Sequence, residues 1–127
     1  GLKGGATAKD RDVDSELTTQ QALNAWRDAL VRSVRGDGPD LSSRQMSLLL
    51  TVYLVSDQHT VRGLAGILGI SKPAVTRAVD ALSTLGFLRR APDPRDKRSV
   101  LVQRTVKGSV FLSEFAESVT ESISAVS

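Results

Sequence analysis

The side chains of this sequence that are best suited to bind a partner are basic, and they are concentrated in one segment. Residues 71–107 contain nine lysines and arginines against three aspartates, a net charge of +6, whereas the whole chain of 127 residues carries only +3. Ammonium and guanidinium groups donate hydrogen bonds to phosphates and to guanine edges, so this segregation of charge indicates a nucleic-acid-binding surface. Aromatic residues make up only 4% of the chain, which argues against stacking on single-stranded bases.

The residues that other kinds of site require are absent or isolated. The chain has no cysteine, so neither a disulfide nor a thiol switch is possible, and His59 is the only histidine. With Asp57 as its neighbour, His59 offers too few ligands for a metal, and we expect it to be a loop residue. No Ser/His/Asp arrangement or glycine-rich phosphate loop is present, and Asp93 and Asp96 lie in an exposed basic segment. We predict that the chain is not an enzyme and binds no metal or cofactor.

Two short helices joined by a tight turn would position the first basic residues. Thr60 can cap a helix that ends at Gly69, where a positive φ costs little. Ser71 can cap the next helix, with Pro73 in its first turn. The pattern predicts a buried stripe of Val75, Ala78, Val79 and Leu82, and the residues off this stripe are Lys72, Ala74, Thr76, Arg77 and Asp80. An ordinary αα-hairpin with a solvated polar face is the alternative interpretation of this segment alone.

A basic hairpin follows the second helix. Gly86 is expected to cap the helix, and residues 87–90 and 99–103 have the composition of strands. Pro92 and Pro94 are expected to keep the connecting loop out of the strand ladder. The hairpin residues that we expect to contact DNA are Arg90, Arg95, Asp96, Lys97 and Arg98. For Asp96, a simple turn-forming role is the alternative.

The order helix, turn, helix and basic β-ribbon is that of a winged helix-turn-helix. The second helix can lie in the major groove of DNA while the tip of the ribbon, the wing, reaches the neighbouring minor groove. We therefore predict a mainly α fold with a small β-wing and flanking helices that dimerise. A further helix over residues 41–54, capped by Ser42 with Gln45, would support this lobe.

Amphipathic helices flank the lobe on both sides. A monomer of this size could not easily bury both apolar stripes against one three-helix lobe, so we predict that they pair two copies of the chain about a twofold axis. The predicted interface residues are Leu23, Trp26, Leu30, Phe111, Phe115, Val119 and Ile123. One alternative is that one of the two stripes packs against the core of its own chain. For Trp26, the alternatives to an interface are a place in the core or in the lining of an effector pocket.

These expectations divide the chain into two parts. Residues 1–14 are glycine-rich and charged without periodicity, and we expect them to be mobile. Residues 15–127 are predicted to form a single winged-helix domain: 15–35 and 105–125 as dimerisation helices, 41–104 as the DNA-binding lobe, and 87–103 as the wing. No signal peptide or membrane-spanning apolar run is apparent, so we expect a cytoplasmic protein.

Over residues 41–112 the sequence resembles the MarR-type regulators. The matching residues are Leu64-Ala65, Leu68-Gly69-Ile70-Ser71, Val75-Thr76-Arg77, Val79-Asp80, Leu82, Leu85-Gly86, the wing run from Asp93 to Arg98, and Thr105 to Gly108. The resemblance implies a homodimeric transcription factor, usually a repressor. Such a protein binds a pseudo-palindromic operator in double-stranded DNA and is released by a small-molecule effector. The alternative is a winged-helix module for protein contacts with little DNA affinity.

The resemblance also implies roles for individual residues. It places Ser71, Lys72, Ala74, Thr76 and Arg77 at the major groove. Asp96 and Arg98 match an Asp-x-Arg pair in which the aspartate positions an arginine that enters the minor groove. Two positions depart from the family pattern: Gly63 replaces an acidic residue, and Arg104 replaces an apolar one. Arg104 is expected either to contact phosphate or to pack its stem with its head in solvent.

Overall fold

The computed structural model describes residues 16–126, which form five α-helices and three short β-strands. In chain order these are α1 (Thr19–Arg35), α2 (Ser43–Leu54), β1 (His59–Thr60), α3 (Val61–Leu68), α4 (Lys72–Thr84), β2 (Leu88–Pro92), β3 (Val100–Arg104) and α5 (Val106–Val126). The predicted fold class, mainly α with a small β-wing, is confirmed. The segment 1–14 lies outside the described residues. The described chain forms two compact units, 16–37 with 116–126 and 38–115, and the predicted domain limits stay a prediction.

Side-chain caps begin four of the helices, as the sequence indicated for α2, α3 and α4, whereas α1 begins later than predicted and the expected C-terminal cap of α4 is off by one residue. Thr18, Ser42, Thr60 and Ser71 are the N-caps of α1 to α4, and each side-chain oxygen accepts a hydrogen bond from the backbone N–H three residues later. Such a cap contributes about 0.5–2 kcal/mol to stability. Gly69 ends α3 with φ +67°, whereas α4 is capped by Leu85, and the positive φ falls one residue later, at Gly86.

The hydrophobic core of residues 38–115 lies between α2, α3, α4 and the sheet. Its fully buried residues from the helices are Leu48, Leu49, Val52, Leu64, Val75, Val79 and Leu82. This confirms the predicted stripe of α4, since Ala78 is buried as well. Because each buried valine or leucine contributes about 1.5–3 kcal/mol, the inner face of α4 is fixed and its outer face is thereby defined.

The three strands form one antiparallel sheet in the order β1-β3-β2. The expectation that both prolines stay out of the ladder is wrong for Pro92, which ends β2 opposite Val100. It is tolerated because β2 is an edge strand, where a missing N–H need not interrupt the ladder. His59 is not a loop residue either: it lies in β1 opposite Val102, is only 6% exposed, and its Nε2 is 2.9 Å from the Val55 carbonyl oxygen.

In the unit formed by residues 16–37 and 116–126, α1 packs against the C-terminal half of α5 through small residues. Ala25, Ala29 and Ser122 are buried there. Arg32 Nε lies 2.7 Å from Asp28 Oδ2, and its Nη1 lies 2.9 Å from Glu121 Oε1. The hydrogen bond from Arg32 holds the pKa of the Asp28 carboxyl below its ordinary value.

The large apolar residues of α1 stay outside this packing. Trp26 is 58% exposed, and Leu23, Leu30 and Val34 are exposed as well. The alternative in which Trp26 fills the core of its own chain is therefore wrong. Phe111, by contrast, packs against the core of residues 38–115 and stacks on Phe87 with ring centroids 4.4 Å apart. Its assignment to a dimer interface stays a prediction. Within residues 16–126, no helix is long and apolar enough to cross a membrane.

Candidate nucleic-acid interface

The first turns of α4 expose most of the predicted DNA contacts, with one correction. Ser71, Lys72 and Arg77 are exposed, and Thr76 is half-buried. Ala74, predicted to lie off the buried stripe, is only 6% exposed. Its methyl group faces the start of α2, with Ser42 and Gln45 among its neighbours in one cleft. The stripe is wider than a single row because α4 is covered by α2 on that side as well as by the core behind it.

Two aspartates shape the tip of the wing. Asp93 Oδ1 accepts a hydrogen bond from the Arg95 N–H at 2.9 Å, and Asp96 Oδ1 accepts one from the Arg98 N–H at 3.0 Å. Each carboxylate thus closes a turn onto the backbone two residues later. Arg95 and Lys97, the other basic residues of the tip, are exposed. The loop is therefore organised by its own side chains.

Asp96 performs both of the roles considered for it. Besides closing the turn, its Oδ1 lies 3.5 Å from Arg98 Nε, while the Arg98 side chain is 91% exposed. The carboxylate holds the base of the guanidinium and leaves the outer nitrogens free to reach a ligand. The predicted Asp-x-Arg pair is present in the geometry.

The wing and α4 share a cationic cleft of about 320 Å³. Lys72 and Thr76 line it from α4, Asp96 and Arg98 from the wing, and Arg62 from the first turn of α3. Within the described residues, neither Arg62 nor Lys72 has an ion-pair partner. Arg62 lies outside the segment whose charge indicated a binding surface, and no motif pointed to it. Its position two residues after the Thr60 cap, on the exposed side of α3, was the available signal.

Arg90 occupies a different place from that expected of a wing contact. Its Nη1 forms a 2.7 Å ion pair with Asp80 Oδ1 of α4. Both side chains are about half exposed, so the pair contributes at most about 1 kcal/mol. It nevertheless joins the edge strand of the wing to the helix beside it. Arg90 therefore links two elements of this surface, and its contact with DNA stays a prediction.

Residues 40–99 match the family model of the MarR family. An uncharacterised helix-turn-helix transcriptional regulator of Mycobacterium bovis is 30% identical over 99 residues, which are 77% of this chain and 68% of that protein. The multiple antibiotic resistance protein MarR of Escherichia coli is 32% identical over 72 residues, 57% of this chain and 49% of its own length. The chain belongs to the MarR family. It is thus a DNA-binding transcriptional regulator, and its relatives are not enzymes.

The fold agrees with solved MarR-family structures. A mutant MarR of Escherichia coli, crystallised with operator DNA, superposes with a TM-score of 0.65 at 24% identity. The superposition covers 82% of this chain and 71% of that one. The order of helices and the antiparallel wing of a MarR-family regulator are therefore present in the described residues.

The family resemblance included a threonine-to-glycine segment after the wing, and the structure explains its residues. Tyr53 Oη donates to the Phe87 carbonyl at 2.7 Å and accepts from the Thr105 N–H at 2.9 Å. Thr105 Oγ1 donates to the Gly86 carbonyl at 2.7 Å. A Cβ at Gly108 would overlap the Tyr53 hydroxyl and the Phe87 carbonyl. This cluster joins α2 to the start of α5 and to the entrance of β2.

Arg104 is exposed, as both expectations required, but it also has partners within the lobe. Its Nε donates to the Val52 carbonyl at 3.0 Å, and its guanidinium lies 5.8 Å from the centroid of the Tyr53 ring. The head thus bonds to the last turn of α2, where carbonyl groups lack intrahelical partners. This basic residue of the MarR-like segment therefore also ties the end of β3 to α2.

Proposed function

We propose that the chain is a homodimeric transcriptional repressor that binds a pseudo-palindromic operator. In each protomer α4 lies in the major groove, and the tip of the wing places Arg98 in the minor groove beside it. The observation that carries the proposal is the shared cleft, in which Lys72 and Arg98 face one another from the two elements. Arginine in a narrow minor groove gains from the enhanced negative potential there.

Homodimerisation is supported by the exposed apolar face of α1. Leu23, Trp26, Leu30 and Val34 recur at three- and four-residue intervals and remain exposed within a single chain. A second copy of the chain can bury this face about a twofold axis. The two α4 helices would then enter successive major grooves, about 34 Å apart. The mutant MarR that was solved with operator DNA is a relative with the same fold.

We also propose that a small-molecule effector controls release of the operator. A small molecule that favours a different spacing of the two α4 helices by a few kcal/mol would release the operator, a coupling of ordinary size for an allosteric protein. We propose a cytoplasmic location on the same basis, since operator DNA is found there.

Titration of purified protein against its own upstream DNA and a scrambled duplex, at several salt concentrations, tests the proposal. Tight, sequence-selective binding with a steep salt dependence is expected, because phosphate contacts release counterions. Weak binding that is equal on both duplexes would contradict it. That result would favour the alternative function, a winged-helix module for protein contacts with little DNA affinity.

A further inference from the structure

A second cleft lies beside α4, away from the wing. It is lined by Ser42, Arg44 and Gln45 from the start of α2 and by Ala74, Arg77 and Ala78 from α4. Arg44 and Arg77 are both exposed. Ser42 and Gln45 are engaged with each other's backbone in the capping box of α2. The two guanidinium groups are therefore the donors that this cleft offers to a ligand.

The two clefts lie on nearly opposite sides of α4. Successive residues of an α-helix are about 100° apart, so Lys72 and Thr76, which line the wing cleft, share one side. Ala74 and Ala78 share the other side, and Arg77 lies between them and the outer face. The buried stripe that contains Val79 faces the core. The helix thus presents an outer face with an arginine-bearing cleft on each flank.

The charge of the second cleft is not compensated within the lobe. No carboxylate lines it, and among the described residues neither Arg44 nor Arg77 forms an ion pair or a hydrogen bond through its side chain. By contrast, Arg90 pairs with Asp80, and Arg104 donates to the Val52 carbonyl. Unpaired guanidinium groups that share a cleft suit the fork-like recognition of a phosphate.

We propose that Arg44 and Arg77 together bind one backbone phosphate of the DNA strand on the flank of α4 opposite the wing. The proposal rests on the proposed function, because it requires α4 to lie in the major groove. That groove is about 12 Å wide, and a helix with its side chains is about 10–12 Å across, so a backbone strand borders each flank. One strand then meets the wing cleft, with Arg62 and Lys72, and the other meets Arg44 and Arg77. Base reading falls to Thr76.

The salt dependence of binding to a mixed-sequence duplex tests this assignment. Arg44→Gln and Arg77→Gln should each weaken binding about threefold to tenfold. The double variant Arg44→Gln/Arg77→Gln should also lower the magnitude of the slope of log affinity against log salt by about 0.9 per protomer, because one phosphate contact is lost. Both effects should be the same on the upstream and scrambled duplexes, because a phosphate carries no sequence information. Arg89→Gln is the matched control. The Arg89 side chain donates to Gln103 on the face of the ribbon opposite Arg90. We expect this variant to keep the wild-type affinity and slope.

Methylphosphonate substitution, which removes the charge of one phosphate at a time, locates the contact. At one position per half-site this substitution should lower the DNA affinity of the wild-type protein. It should not lower the affinity of the Arg44→Gln/Arg77→Gln variant any further. If the double variant keeps the wild-type slope, as Arg89→Gln is expected to, the phosphate site is wrong, while the proposed function stands. A change of base preference in Arg77→Gln, with no loss of affinity for the scrambled duplex, would overturn the role of Arg77. A wild-type protein that binds neither duplex would overturn both proposals. Thermal unfolding of each variant verifies that it is folded.

Discussion

A single short side chain, Asp96, controls the residue that we place in the minor groove. Its Oδ1 accepts from the Arg98 backbone N–H and also lies beside Arg98 Nε. The sequence pattern suggested two alternative roles, turn former and partner of the arginine. Both are satisfied by one oxygen, because an Asx turn brings the carboxylate to the residue two positions later. An arginine held in this way loses less entropy when it binds.

Replacing Arg98 tests the wing directly. Arg98→Ala should weaken operator binding and lower the salt slope by about 0.9 per wing, because one phosphate-neutralising cation is lost. Titrations of wild type and variant at several salt concentrations measure both quantities. Arg89→Ala removes the same charge from β2, on the face of the ribbon opposite Arg90, and serves as the control. Equal affinity and slope for Arg98→Ala and wild type would remove the wing from the interface.

Thr76 belongs to a different class of contact. It lines the cleft between α4 and the wing, so its hydroxyl can reach a base edge. Thr76→Ala should cost about 1–3 kcal/mol on the operator and relax preference at one base pair in each half-site. Binding to a library of operators with single base changes measures this preference. An equal loss on every sequence would make Thr76 a phosphate contact.

At the scale of the elements, glycine at the start of α5 is required by a close approach. Gly108→Ala should destabilise the protein by about 1–3 kcal/mol, because the added methyl group would overlap the Tyr53 hydroxyl and the Phe87 carbonyl. Gly66→Ala is a matched control in another helix: nothing lies within 4 Å of its added Cβ. It should stabilise the protein by about 0.5–1 kcal/mol. Urea unfolding compares the two, and equal effects would contradict the role of Tyr53.

The same elements show which features a sequence can predict. Caps such as Ser42, Thr60 and Ser71 act within three residues, so their signals are local, and the starts of α2, α3 and α4 followed from them. Position 108 must be glycine because Tyr53 lies against it. Since Tyr53 is distant in sequence, no local pattern predicts this contact. The two-residue strand that contains His59 depends entirely on pairing with β3. A strand this short has no periodicity to read.

For the whole molecule, the charge count located a basic lobe but not the intramolecular partners of its individual cations. Arg90 pairs with Asp80 and Arg104 bonds to the end of α2, although both contribute to the +6 of residues 71–107. Arg44 and Arg62 lie outside that segment and join it only when the helices pack. Net charge therefore indicated which lobe is basic, whereas the arrangement of its cations needed tertiary structure.

Dimerisation determines whether two such surfaces act together. Leu30 is 47% exposed on α1, in the face that we propose to pair two chains. Leu30→Glu should yield a folded monomer, because a carboxylate would be buried without a partner at the interface. Sedimentation velocity measures the oligomeric state. The variant should also bind DNA with roughly half the wild-type salt slope, since only one half-site is contacted.

Leu54→Glu is the matched control for this substitution. Leu54 is another exposed leucine, at the end of α2, and is not part of the proposed pairing face, so its variant should remain dimeric. Trp26 provides a second measurement, because it is the only tryptophan of the chain. Its emission should shift to the red when the wild-type dimer dissociates on dilution, and the Leu30→Glu protein should show the shifted spectrum at every concentration. A wild-type protein that sediments as a monomer, with the same Trp26 spectrum as the variant, would assign the apolar face of α1 to another partner.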